Sequence, residues 1–229
     1  MGAGYVKTAA VQYLRQADPA LRRHIDTVGP CTLTPTPDSG PHTLFDRLAS
    51  SILSQQLSVK AAATIAGRLR DRAGASASAS ASARTPRLPL DPDRVAALSD
   101  EELRACGISR PKVAALRDLA DAVHSGRIPT LSELRGYDDD AVIASLTTVR
   151  GIGRWTAEMQ LIFLLDRPDV FPLADVGVRR GFERVLDLDT KATPSEMLEH
   201  SRAWAPYRSV ASWYLWRAVD QTGQSVPPA

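Results

Sequence analysis

The chain has 229 residues, 44% hydrophobic and 24% charged, with a formal net charge of +2. This is ordinary globular composition, enough for one good core or two small lobes, and it excludes a disordered or collagen-like chain. No run approaches the roughly eighteen apolar residues of a membrane span, and Met1–Lys7 has no apolar signal region.

Two cysteines, Cys31 and Cys106, are too few for a disulfide framework, a four-cysteine cluster or an all-cysteine zinc site. The expectation is a soluble, cytoplasmic domain that enters no membrane. Arginine supplies 24 of the 28 cations. Its planar fork suits phosphate, but a GC-rich coding sequence produces the same bias, so composition does not decide.

Helical periodicity predominates along the chain. Tyr5–Ala17 reads as a helix, and Asp18-Pro19 supplies a cap and first-turn proline for the next. Pro30–Pro41 is a loop. Thr43–Ser54 sets Leu44, Leu48 and Ile52 on one face, and Ser58 caps an alanine-rich helix through Ile65 and Leu69 to Arg72. From Gly74 the chain alternates Ala and Ser, and the stretch to residue 86 reads as a disordered insertion loop.

Ser99-Asp100-Glu101-Glu102 is a capping box, with Gly107 as the stop. Pro111–His124 carries a stripe of Val113, Leu116, Leu119, Ala120 and Val123. Asp138 opens a helix to Leu146, and Arg154–Leu165 forms another. Thr193-Pro194-Ser195-Glu196 is a second capping box, ahead of Met197 and Leu198. Ser209–Gln221 closes the chain with Trp213, Leu215 and Trp216 partly inward. The sum is an all-α protein of many short helices without an internal repeat.

Two segments carry chemistry. In Leu146–Glu158 a helix ends, Gly151 and Gly153 flank the lone apolar Ile152, and a second helix begins at once. Such a turn aims backbone N–H groups outward, with the next helix's positive end behind them, and cradles a phosphate without reading sequence. Ile152 would tuck between the helices and hold the hairpin rigid. A plain αα-hairpin with glycine at its turn is the alternative.

In Asp169–Phe182, Asp175 follows an apolar run and caps Val176 onward, which presents a carboxylate at a helix mouth. Arg179 and Arg180, one turn on, face either phosphate or solvent.

Together these segments resemble the helix-hairpin-helix DNA glycosylases, in particular the 3-methyladenine DNA glycosylase II (AlkA) family. Val149-Arg-Gly-Ile-Gly-Arg-Trp-Thr-Ala157 is similar to that family's hairpin, and Asp169-Val-Phe-Pro with Ala174-Asp175-Val-Gly-Val-Arg-Arg to its catalytic-aspartate segment. Ala49-Ser-Ser-Ile-Leu-Ser-Gln-Gln-Leu-Ser-Val-Lys-Ala-Ala62 resembles its Gln-Gln signature, and Trp204–Trp216 its closing helix. The similarity spans roughly His42 to Trp216, with four motifs in order.

The resemblance implies a two-lobed helical fold with the active cleft between lobes. One lobe spans residues 43–126; the other combines 1–42 with 127–229 and carries the hairpin, 146–158, and the aspartate. It implies Asp175 as the catalytic carboxylate, Trp155, Met159 and Trp216 in the base pocket, and Leu57 as the wedge that fills the gap left by an extruded nucleotide. Gln55 and Gln56 lie beside that wedge, and Arg150, Gly151, Ile152, Gly153, Arg154 and Thr156 meet DNA. A structural monovalent cation, Na⁺ or K⁺, is implied on the backbone carbonyls of Thr147, Val149 and Ile152. No cofactor is implied for catalysis.

Two departures matter. Where bifunctional relatives carry a Schiff-base lysine this chain has Trp155, and no lysine lies between Lys112 and Lys191, which implies a glycosylase without lyase activity. The chain also has no room for the N-terminal β-domain of the long family form, whose pocket wall must come from Tyr5–Leu33 or be missing. Met159 stands where relatives often carry an aromatic, which suggests a wider pocket.

The implied activity is excision of alkylated purines, of the 3-methyladenine and 7-methylguanine type, from double-stranded DNA by a monomer associated with the nucleoid. A non-catalytic DNA-binding module has no use for Asp175, and a glycosylase for deaminated bases such as hypoxanthine stays open. His24, His42, His124 and His200 lie in no motif, and no metal-ligand spacing appears.

Overall fold

The computed structural model describes residues 6–38, 40, 43–75 and 89–220, and every regular element among them is helical. In order these are α1 (Lys7–Ala17), α2 (Pro19–Val28), α3 (Thr43–Ser54), α4 (Val59–Ala75), α5 (Pro92–Ala97), α6 (Asp100–Ala105) and α7 (Arg110–His124). There follow α8 (Leu131–Leu134), α9 (Asp139–Leu146), α10 (Arg154–Phe163), α11 (Val176–Val185), α12 (Pro194–Ser201), a single 3₁₀ turn and α13 (Arg208–Asp220). No helix of the described residues is long and apolar enough to cross a membrane. The chain divides into two compact units, Met1–Thr36 with Glu158–Ala229, and Pro37–Ala157, with the boundary inside α10.

The first unit is built around α13. Ser209 to Trp216, Ala218 and Val219 are all buried, so this helix is enclosed on every side rather than amphipathic, a deeper burial than the sequence pattern implies. α11 crosses it where Gly181 has no side chain: a Cβ there would lie 2.0 Å from the Leu215 carbonyl oxygen. From the other direction α2 lays Leu21 and Ile25 inward. The His24 ring meets the Tyr214 carbonyl at 2.9 Å, and the Tyr214 hydroxyl donates to Gly29.

Asp18 caps α2 as its sequence predicts, accepting from the Ala20 and Leu21 amides. It also accepts from the His200 ring at 2.7 Å and the Trp204 indole at 2.9 Å, joining α2 to the end of α12. Burial alone would push this carboxyl up; the hydrogen bonds from His200, Leu21, Trp204 and Ala20 outweigh it and hold Asp18 below the usual carboxylate range.

The second unit is built around α7, whose Val113, Leu116, Leu119 and Ala120 are buried as expected. Ala115 and Ala122 complete the inner stripe, and Val123 is only half-buried. α3 brings Leu48 and Ile52 against it. Arg117 on α7 closes the end of α5 by donating to the Val95, Ala96 and Leu98 carbonyls.

The structure differs from the sequence expectation at three places. α4 runs through Gly74 to Ala75, and the rest of the expected Ala/Ser loop, 76–88, lies outside the described residues. Two short helices, α5 and α8, were not expected, although Thr130–Glu133 forms a capping box over α8. Pro37, Asp38 and residues 127–157, expected with the terminal segments, group with the central unit instead: Arg127 and the Arg150 amide are tied to Asp118 of α7, and Arg127 holds the Thr148 carbonyl.

Candidate functional site

In the first unit, Asp175 is the N-cap of α11 and is only 7% exposed. Its Oδ1 accepts the Val178 amide at 2.7 Å and the Trp216 indole N–H at 3.0 Å. The cap expected from the sequence is present: the helix mouth fixes the carboxylate, and α13 supplies a second donor. Gly177 makes room for this, since a Cβ there would stand 2.9 Å from Trp216 Cδ1 and 3.1 Å from Asp175 Oδ1.

The segment leading to Asp175 is fastened to the start of α13. Arg208 makes two parallel bonds to the Asp169 carboxylate, at 2.8 Å each, and these hold its guanidinium above the usual arginine range. Ser209 accepts the Val170 amide and donates to the Arg167 carbonyl, and its own amide meets Pro168.

Trp216 is 3% exposed and stacks on Phe163, with centroids 5.6 Å apart and planes 23° from parallel. Its surroundings make it a partner of the Asp175 carboxylate rather than an open aromatic face. Met159 is buried. Arg179 turns to Glu183 at 3.7 Å, and Arg180 is exposed.

In the second unit, α9, the Gly151–Gly153 turn and the first turn of α10 form the expected hairpin. Gly151 has φ +81°, a conformation that favours glycine, and Ile152 is buried with its amide on the Val149 carbonyl at 3.0 Å. Gly153 has an ordinary φ, and nothing lies within 4 Å of where its Cβ would be. Its side is open to a close approach.

The turn does not offer all its amides outward, however. The Arg150 N–H goes to the Asp118 carboxylate on α7 at 2.6 Å. Asp118 also binds Arg127, which donates to the Thr148 carbonyl. Arg127 first, then the Arg150 amide, holds the Asp118 carboxyl below its ordinary range.

Arg150, Arg154 and Trp155 are exposed, Trp155 at 39%. Thr156 is 4% exposed, so what it presents outward is its place in the first turn of α10, where helix N–H groups have no intrahelical acceptor.

Between α3 and α4, Gln56 has φ +58° and Leu57 is 40% exposed. Gln55 does not point into open solvent. Its Nε2 donates to the Gly151 carbonyl at 2.7 Å and joins the loop to the hairpin. Lys112 on α7 donates to the Leu53 and Gln55 carbonyls at 2.7 and 2.8 Å.

Sequence reasoning missed Lys112, Asp118 and Arg127. Lys112 left a signal: a lysine in the first turn of a helix opposes the dipole and needs an acceptor elsewhere. Asp118 and Arg127 left none.

The model of the HhH-GPD superfamily of base excision DNA repair proteins matches residues 49–206. The chain belongs to that superfamily. Among curated relatives, DNA-3-methyladenine glycosylase 1 of Schizosaccharomyces pombe is 35% identical over 183 residues, 80% of this chain and 75% of that protein. A DNA-3-methyladenine glycosidase from Bacillus halodurans aligns with a TM-score of 0.79 and 35% identity, covering 94% of this chain and 92% of that one. The S. pombe 3-methyladenine DNA glycosylase Mag1, in complex with abasic DNA, aligns with a TM-score of 0.72 and 34% identity over 91% and 95% of the two chains. The hairpin, the Gln55–Leu57 loop and Asp175 all fall inside the matched HhH-GPD region.

Proposed function

We infer that this HhH-GPD protein is a monofunctional DNA glycosylase, which extrudes alkylated purines of the 3-methyladenine and 7-methylguanine type and hydrolyses their N-glycosidic bond in base-excision repair. The observation that carries the reading is Asp175: a nearly buried carboxylate on a helix mouth, oriented by Val178 and Trp216. A module that only bound DNA would have no use for a carboxylate held this way.

An alkylated purine carries positive charge and leaves without a general acid. As the bond to C1′ breaks, its electron pair goes to the base. Asp175 stabilises the oxocarbenium-like sugar and takes a proton from the water that adds to C1′. Trp155 provides an exposed aromatic face for a cationic base, an attraction on the order of 1–2 kcal/mol. Met159 adapts to the base's shape, and Trp216 acts through Asp175. With Trp155 at the lysine position of bifunctional relatives, no amine attacks the sugar, and lyase activity is not expected.

Double-stranded DNA is the partner. Gly151 and Gly153 amides with the first turn of α10 take a phosphate, Arg150 and Arg154 flank it, and Leu57 with Gln55 and Gln56 fills the vacated stack. Catalysis needs no cofactor. The Thr147, Val149 and Ile152 carbonyls are an all-oxygen set that suits a hard monovalent cation; Val149 keeps a second lone pair beside its bond to Ile152. The protein acts as a monomer in the cytoplasm, at the nucleoid.

The test is release of free methylated bases from alkylated duplex DNA by the native protein and Asp175→Asn at matched DNA binding. Release that falls about a hundredfold or more in the variant, with binding retained, supports the reading. Normal salt-dependent binding without release by the native protein overturns it in favour of a binding module.

A further inference from the structure

The loop that carries Leu57 is held in a conformation that its own sequence does not favour. Gln56 sits in the left-handed region at φ +58°, which costs a non-glycine residue about 1 kcal/mol and persists only where the surroundings over-determine it. Within the loop itself, the Leu57 amide on the Ser54 carbonyl at 3.1 Å is a single tie. The remaining ties come from outside it.

Lys112 supplies the main one. Its ammonium lies against the last turn of α3 and takes the Leu53 and Gln55 carbonyls, at the negative end of that helix. On its own helix the same charge is misplaced, in the first turn of α7, and burial pulls it below the ordinary lysine range. A residue chosen for the stability of α7 alone would not be lysine. The second tie is Gln55 Nε2 on the Gly151 carbonyl of the hairpin.

The hairpin rests on the same helix. Asp118 holds the Arg150 amide, and a Cβ on Gly151 would lie 3.4 Å from Ala115. Lys112, Ala115 and Asp118 thus set the Leu57 loop and the phosphate-binding turn on one rigid spine within the second unit.

We propose that Lys112 is a positioning residue for base extrusion, fixing Leu57 at a set distance from the phosphate that the hairpin holds. The proposal rests on the glycosylase reading. It makes Lys112 necessary for holding a paired site open and dispensable for bond cleavage once the base is unpaired.

The experiment measures single-turnover release of 7-methylguanine from an oligonucleotide that presents the lesion either paired in a duplex or unpaired in a bubble. Lys112→Met is expected to lose about tenfold or more on the paired lesion and less than about threefold in the bubble, with affinity for undamaged duplex unchanged. The fluorescence rise of 2-aminopurine placed beside the lesion falls in parallel, and Lys112→Arg, which keeps charge and donors, restores most of both signals.

Equal losses on the two substrates, or an unchanged rate on the paired one, overturn the proposal and leave the glycosylase reading intact. No release by the native protein from either substrate removes both. If circular dichroism shows Lys112→Met unfolded, Lys112→Gln, which keeps a donor for one of the two carbonyls but loses the charge at the end of α3, must show the paired-against-bubble split or the proposal fails.

Discussion

The Trp216 indole N–H donates to Asp175 Oδ1 at 3.0 Å, across the place where Gly177 leaves room for the ring. Two donors converge on that oxygen, because the Val178 amide reaches it as well. A carboxylate so held keeps its orientation without reorganising when charge develops beside it, which is the condition under which a fixed group stabilises a transition state most.

Trp216→Phe keeps the ring packed on Phe163 and removes only the donor. Single-turnover excision is expected to fall about tenfold with DNA affinity unchanged, because the carboxylate loses its aim rather than its charge. Stability should drop by about 1.5 kcal/mol in a denaturant melt.

Gly181→Ala and Gly177→Ala separate scaffold from site. The first drives a methyl group into the Leu215 carbonyl and forces α11 off α13, at a cost of about 3 kcal/mol or more. The second crowds a side chain and the carboxylate, at about 1–2 kcal/mol. Urea midpoints rank the two, and Gly177→Ala loses excision out of proportion to its stability.

Asp18→Ala removes the α2 cap and leaves the buried Trp204 indole without its acceptor, for an expected loss of about 3 kcal/mol. For Asp18→Asn the dependence on pH is the readout. The folded carboxyl is depressed, so its stabilisation is complete above the unfolded value near pH 3.8 and is lost as pH falls through the folded one. Native and variant melting temperatures should differ at pH 7 and converge below about pH 4.

Leu57→Ala changes an exposed side chain and should leave stability within about 0.5 kcal/mol. Excision from paired duplex is expected to fall about tenfold, and excision from an unpaired lesion much less.

Much of this could be read from the residues. Asp18, Ser99, Asp138 and Thr193 announce their helices through cap chemistry, and each cap bond is present. Gly151 and Asp175 were legible for the same reason, since a left-handed turn and a helix mouth are local requirements. The short helices α5 and α8 both had cap signals that could have been used: Asp91-Pro92 repeats the Asp18-Pro19 pattern, and Thr130–Glu133 is a capping box. Trp216 reads as partly inward, but its bond to Asp175 was not legible, because the two lie about forty residues apart in sequence and their meeting is a tertiary fact. The partners of Lys112 and Asp118 belong to the same class: they lie in distant segments, at the end of α3 and its following loop and in the hairpin turn, and spacing does not name them.

Asp118 takes the Arg150 amide, so on the proposed function the peptide dipoles left to meet a phosphate are those of Gly151, Gly153 and the first turn of α10, with the Arg150 and Arg154 guanidinium charges at the flanks. Neutral donors displace no condensed counterions, so their share of the affinity does not fall with ionic strength, whereas each arginine contact does. Rising salt should therefore shorten the protein's residence on undamaged duplex well before it loosens the turn from the single phosphate beside a lesion. On the proposed reading, hold on undamaged duplex and grip beside a lesion rest on different kinds of charge, and ionic strength separates them.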